Sequence, residues 1–390
     1  MTLQTATNFV DIALVSLCFF CAQLLLLRRH DVAAYVPLAL LFLFTGLSTL
    51  SQLIAEASGN LDKAGLVLRI RLLFALPEIA CPFLFWLYVH MLTNEDASPS
   101  LPRLRPHMAA IFVVALLMAT SMLVPSDVND LDGLELSEDD PVLLQLVLIV
   151  LAVLIGDILF QAMVVVYLVL IIKRLGTHRR RLRDIFSTTE SRELRWIWVI
   201  TMAGGLFWLC SIAVSAAIWT GAWGLTQDNP WVLFLGRGAL VFLFWVIGVW
   251  GLRQRAVMMR QPSQEPEVPD APLKKYEKSA LDAHRAARIT EKIETAMKTD
   301  LLYRDPNLSL WELAKHIGVT SHYVSQTLNT QLGSSFFDYV NRWRVEDAVG
   351  QLISSDETIL VISYDVGFNS RSAFYKAFKR QTGKTPSDYR

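Results

Sequence analysis

Cysteine is scarce in this 390-residue chain, and none of it lies where a disulfide would stabilise an aqueous segment. Cys18, Cys21, Cys81 and Cys210 all fall inside apolar stretches. Cys18 and Cys21 form a CxxC, but the flanking Leu17, Phe19, Phe20 and Leu24 and the want of a second ligand pair favour small apolar packing over metal binding. Also missing are an HExxH run, a glycine-rich nucleotide loop and a nucleophile elbow, so no catalytic residue, metal site or cofactor is expected. Charge is sparse as well: 18% of residues are charged against 53% apolar, too apolar a balance for an ordinary soluble protein.

What is present falls into two regimes that meet near residue 253. Before it, seven apolar segments are long enough to cross about 30 Å of hydrocarbon at 1.5 Å per helical residue. They run over 8–27, 34–55, 66–92, 108–124, 142–172, 196–219 and 231–252, and the fifth is long enough to tilt or protrude. Basic residues follow the odd-numbered spans: Arg28 and Arg29, Arg103 and Arg105, Lys173 to Arg183, then Arg253, Arg255 and Arg260. The tail before span one and the loop 220–230 have no Lys or Arg, and the loop 125–141 is acidic. This bias predicts an N-terminus outside and a C-terminus in the cytoplasm. Lys63, Arg69 and Arg71 fit it less well. With no basic stretch before it, span one is expected to be a retained anchor. Tryptophans near span ends, among them Trp196, Trp231 and Trp250, suit interfacial belts.

Three ionisable side chains lie at mid-depth, where charge is costly: Glu78 beside Pro77, Asp157 one turn before Gln161, and Arg237 between Gly236 and Gly238. Pairing of Glu78 or Asp157 with Arg237 satisfies them structurally. A pocket that reads an external or lipid-soluble signal uses the same residues, and both readings stay open.

After span seven, residues 253–280 lose periodicity, and Pro262, Pro266, Pro269 and Pro272 block helix, which describes a tether. Beyond it Ile289, Ile293 and Met297 mark an amphipathic helix ending near Asp305 and Pro306. Leu310, Leu313, Ala314 and Ile317 then form one face of a short helix. Gly318 ends it, Val319 plugs the turn, and Ser321 begins a second helix buried through Val324 and Leu328. The arrangement returns about 49 residues later: Ile359, Ile362 and Ser363, then Val366-Gly367-Phe368, then a helix capped by Asn369-Ser370 and buried through Phe374 and Phe378. A long helix over 336–353 joins the two. The fold class expected is all-α: a seven-helix transmembrane bundle (1–252), a linker (253–280) and a cytoplasmic all-helical domain with two helix-turn-helix units (281–390). From Arg371 to Arg390 six basic residues stand against the single acid Asp388, which suits a polyanion.

At these residues the chain resembles the AraC family of bacterial transcription regulators, most specifically in ILVISYDVGFNSRSAFYKAFKRQTGKTPSDYR, supported by LWELAKHIGVTSHYVSQTLN. Ser363 departs from the alanine usual there. The resemblance implies that the second helix of each unit enters the major groove of double-stranded DNA. Carried onto this chain, the base-edge candidates are His322, Ser325 and Gln326 in the first unit and Arg371, Ser372, Tyr375 and Lys376 in the second. Lys379, Arg380 and Lys384 are cast as phosphate contacts. A multi-pass protein of the bacterial inner membrane is implied, with the lipid bilayer, an unknown small-molecule or membrane signal and possible homodimerisation as further partners. The rival expectations are a transporter or membrane enzyme with a fused regulatory domain, and a passive tether of DNA to the membrane.

Overall fold

The computed structural model describes residues 3–29, 33–57, 64–94, 101–124, 141–189, 194–220, 229–253 and 283–390. The tether, the loops 125–140 and 221–228, and Lys63 lie outside them. Contacts divide the chain into two units, Met1–Leu175 with Leu194–Val257, and Gly176–Glu193 with Met258–Arg390. The described residues contain helices and a single isolated β-bridge.

The first unit comprises α1 (Leu3–Leu27), α2 (Tyr35–Ala57), α3 (Ala64–Ala75), α4 (Cys81–Leu92), α5 (Leu101–Ala119), most of α6 (Pro141–Ile185), α7 (Arg195–Thr220) and α8 (Pro230–Arg253). Among the described residues seven stretches are long and apolar enough to cross a membrane. Leu14, Leu25, Leu38 and Phe42 are buried in its core, and Phe42 meets Phe244 edge-on at 5.5 Å. Outside that core many large apolar side chains are bare, among them Val150, Leu206 and Phe112.

Cys18 and Cys21 are free and buried, and they pack where sulfur-sized side chains are needed. A Cβ on Gly46 would lie 3.0 Å from Cys18 Cβ, and one on Gly248 only 2.7 Å from Cys21 Sγ. Small residues thus bring α1 against α2 and α8.

One sequence expectation changes here, and the length noted for the fifth span is extended. The third span is not one helix: Pro77 and Pro82 each lack an N–H, and a 3₁₀ turn over Leu76–Ala80 separates α3 from α4. The fifth helix does not stop at Ile172. Its arginine-rich continuation keeps helical propensity to Ile185, and residues from Gly176 onward group with the C-terminal unit.

The second unit contains α9 (Ala283–Lys298), α10 (Leu310–Ile317), α11 (Ser321–Thr330), α12 (Phe336–Ser354), α13 (Ile359–Asp365) and α14 (Arg371–Thr382). Ile289, Ile293 and Met297 are buried as periodicity predicts, although α9 ends at Lys298, before the expected boundary. α12 serves two cores. Tyr339 and Val340 pack with α9, α10 and α11, whereas Val345, Ala348 and Leu352 pack with α13 and α14.

Candidate nucleic-acid interface

Each helix-turn-helix unit is built by local punctuation. In the first, Ser309 and Glu312 form a reciprocal capping box that starts α10, and Gly318, at φ +66°, turns the chain into α11. In the second, the Thr358 hydroxyl accepts from Val361 N to start α13, and the Ser370 hydroxyl accepts from Ala373 N to start α14. Ser363 is fully buried between them and donates its hydroxyl to Leu360 O at 2.7 Å, so serine is accommodated in place of alanine without an orphan polar group. Gly367, at φ +94°, passes so close to the 302–304 turn that a Cβ would lie 2.6 Å from Tyr303 O.

The buried residues of α11 and α14 leave defined polar sets for solvent. On α11 His322 is exposed and Ser325 and Gln326 are half-buried. On α14 Arg371, Ser372, Lys376, Lys379 and Arg380 are exposed, Tyr375 is half-buried, and Lys384 follows in the open turn after the helix.

These side chains are partly organised. Arg371 Nη2 donates to Tyr375 Oη at 3.2 Å, with its guanidinium 5.0 Å from the centre of that ring. The Arg371 bond, joined by one to Ser387, holds the Tyr375 phenol below its ordinary pKa. Lys384 sits over the Tyr389 ring at 5.9 Å. Arg380 differs from the other cations, since it pairs with Asp338 of α12 at 2.8 Å. Asp338 was not singled out in the sequence because it reads there only as a first-turn acid of α12.

In the first unit, a cavity of about 710 Å³ is lined by Glu78 and Asp157 together with Thr45, Thr201, Tyr167 and mostly apolar side chains. Arg237 is not among its lining residues. It pairs instead with buried Asp11 of α1 at 3.4 Å. Glu78 accepts the Ser48 hydroxyl at 2.6 Å, and Asp157 accepts Gln161 Nε2 at 3.3 Å. Asp11 is an acid within span one that an inventory of every charge in the apolar stretches would have found. Among the described residues no cluster of His, Cys, Asp and Glu is arranged to hold a metal.

Comparison with known proteins bears on the C-terminal unit. Residues 313–390 match the family model described as a helix-turn-helix domain. An HTH-type transcriptional regulator of Staphylococcus aureus (strain COL) is 36% identical over 89 residues, covering 23% of this chain and 12% of that protein. A protein of Streptomyces lividans described as an AraC-like transcription regulator is 37% identical over 92 residues, covering 23% of this chain and 30% of that one. The match thus spans less than a third of either relative. Among solved structures, the C-terminal domain of AraT, a response regulator from Geobacillus stearothermophilus, is 27% identical, covers 26% of this chain and 82% of that one, and has a TM-score of 0.24. Residues 313–390 form a helix-turn-helix domain, similar in sequence to that of the Streptomyces lividans protein described as AraC-like.

Proposed function

We propose that the protein is a sequence-specific transcription regulator embedded in a bacterial inner membrane, N-terminus outside, with its DNA-binding domain in the cytoplasm. The observation that carries this reading is the pair of glycine-turned helix-turn-helix units sharing α12, whose second helices present His322, Ser325, Gln326, Arg371, Ser372, Tyr375 and Lys376. Arginine reads guanine and glutamine reads adenine through paired hydrogen bonds. Lys379, Arg380 and Lys384 add phosphate contacts and salt dependence.

Membrane embedding is supported by the seven apolar spans, by the bare apolar side chains outside their core and by the alternation of basic loops. The cavity bearing Glu78 and Asp157 has the size of a small-molecule site. Its walls suit an apolar signal molecule with one or two polar groups for the carboxyl side chains to engage, and Arg237, held by Asp11, belongs to the frame of the bundle. Chromatin immunoprecipitation of the full-length protein, beside an Arg371→Ala, Lys376→Ala variant, tests the reading. Sharp peaks with a shared two-part motif that vanish in the variant are expected; diffuse signal from a folded, inserted protein would overturn it.

A further inference from the structure

The C-terminal unit includes a segment that no helix-turn-helix pattern accounts for, the last turn of α6 and the residues after it. Leu182 and Phe186 are buried, and Phe186 meets Trp311 of α10 edge-on at 5.6 Å. The backbone then runs antiparallel to the residues before α10. Phe186 forms a β-bridge with Ser309, Ser187 N donates to Leu308 O at 3.2 Å, and Thr188 Oγ1 donates to Pro306 O at 2.8 Å.

Beneath this strap lies Arg344, fully buried at 0% exposure. Burial pulls its pKa down to about 9, against the opposing charge of Asp305, so it remains a cation at neutral pH. Its guanidinium is satisfied from two sides: Tyr303 O at 2.7 Å and Asp305 O at 2.8 Å, and the strap's Ser187 Oγ at 3.1 Å and Thr188 Oγ1 at 3.4 Å. A buried cation needs such acceptors, so the strap's seat is built for it.

One turn earlier, Arg183 Nη2 donates to both carboxylate oxygens of Asp338, at 2.7 and 2.8 Å. Arg380 of α14 pairs with Oδ1 of the same carboxylate at 2.8 Å. The two guanidinium groups also lie over the same ring, Phe337, at 5.2 and 5.6 Å. Two cations thus share one carboxylate, and the strap supplies the second of them; Asp184 beside Arg183 leaves the strap itself without net charge, so its effect on Asp338 comes from the direct Arg183 pair.

We propose that the segment Leu182–Thr189 is a regulatory strap whose seating makes Arg380 available to a DNA phosphate. Seated, Arg183 neutralises Asp338, so Arg380 can turn to phosphate without leaving a bare carboxylate beside the DNA. Withdrawn, the strap leaves Asp338 to hold Arg380 and to repel the phosphates. The strap begins as the end of α6, whose earlier residues belong to the apolar unit, so a change in that helix reaches the strap through the chain itself. Because the linkage is reciprocal, DNA binding also favours the seated strap. The inference rests on the DNA-binding reading above.

The test measures binding of full-length protein in nanodiscs to a mixed-sequence duplex at graded salt, since phosphate contacts do not depend on sequence. Arg183→Ala is expected to weaken binding about threefold and to make the log–log salt slope shallower by about 0.9, the effect of one phosphate contact. Arg183→Ala with Asp338→Asn is expected to return affinity to the parent's level. Unchanged affinity in the single variant overturns the proposal, and so does a double variant as weak as the single, which would mean that Arg183 touches phosphate itself. A parent that binds no duplex at any salt overturns the DNA-binding reading as well. In the parent, DNA is expected to slow amide exchange at Phe186 and Ser187, and exchange unaffected by DNA would count against the strap.

Discussion

Gly367 and Tyr303 approach so closely that any side chain at position 367 would collide with the Tyr303 carbonyl: an added Cβ would lie 2.6 Å from that oxygen, and 2.7 Å from Arg304 O. The residue also sits at φ +94°, where L side chains are strained. The turn between α13 and α14 is therefore pinned to the turn that follows α9, which ties the second helix-turn-helix unit to the first half of the domain. Gly367→Ala is expected to destabilise the C-terminal unit by about 2–4 kcal/mol. Amide exchange of α13 and α14 in the full-length protein checks it, and protection equal to the parent's would show that the turn relaxes without cost.

The contact between Gly248 and Cys21 predicts a reciprocal pair of effects. Gly248→Ala places a Cβ about where Cys21 Sγ needs space, at 2.7 Å, and overpacking of this kind costs about 1–3 kcal/mol. Combining it with Cys21→Ala should recover most of that loss, because the sulfur is what the methyl meets. Thermal midpoints in detergent for the two single variants and the double form the cycle; strictly additive losses would show that the two sites do not touch.

The polar residues of α14 and of the turn after it should separate by role. Arg371→Ala is expected to relax base preference at one position, with a cost of about 1–3 kcal/mol on the selected site and less on mixed DNA. Lys379→Ala and Lys384→Ala should weaken all duplexes alike and each lower the salt slope by about 0.9. Titrations with both DNA types at several salt concentrations distinguish the two patterns. Equal behaviour of all three variants would remove the assignment of Arg371 to base readout.

Asp157 lines the cavity of the first unit and engages Gln161, whose carbonyl in turn accepts Trp208 Nε1 at 2.6 Å. Asp157→Asn removes the charge and keeps the shape. If the cavity receives the signal, the dose–response of a target promoter should shift while DNA affinity in its absence stays at the parent level. A dose–response superimposable on the parent's for every inducer would sink the signal-site assignment.

Much of the fold is legible in the residues because the signals are local. Apolar runs of span length mark the helices of the first unit, and the periodic Leu310, Leu313, Ala314 and Ile317 followed by Gly318 mark a helix and its stop. The boundaries of α12 agree with expectation to within a residue, since Ser335 caps its start. Pro77 and Pro82 were visible as helix breakers, yet apolarity alone reads through them, which is why the third span looks continuous in sequence.

The pairings were not legible. Arg237 stands between two glycines in sequence, and nothing local says that Asp11 rather than Glu78 will meet it; that choice depends on which helices are neighbours in the bundle. Asp338 and Arg183 likewise read as an ordinary first-turn acid and one member of a basic loop. The strap is held largely through backbone carbonyls at Leu308 and Pro306, and carbonyls carry no residue code.

Composition and short-range spacing therefore determined, without any structure, an all-helical chain with seven apolar spans and a pair of glycine-turned helix-turn-helix units, because helix formation and termination depend on neighbours within a turn or two. The tertiary structure decided which charges compensate one another, that Glu78 and Asp157 share a cavity while Arg237 does not line it, and that the end of α6 packs over buried Arg344. Those are contacts between residues far apart in the chain, and their energies come from burial and geometry that exist only once the helices have packed.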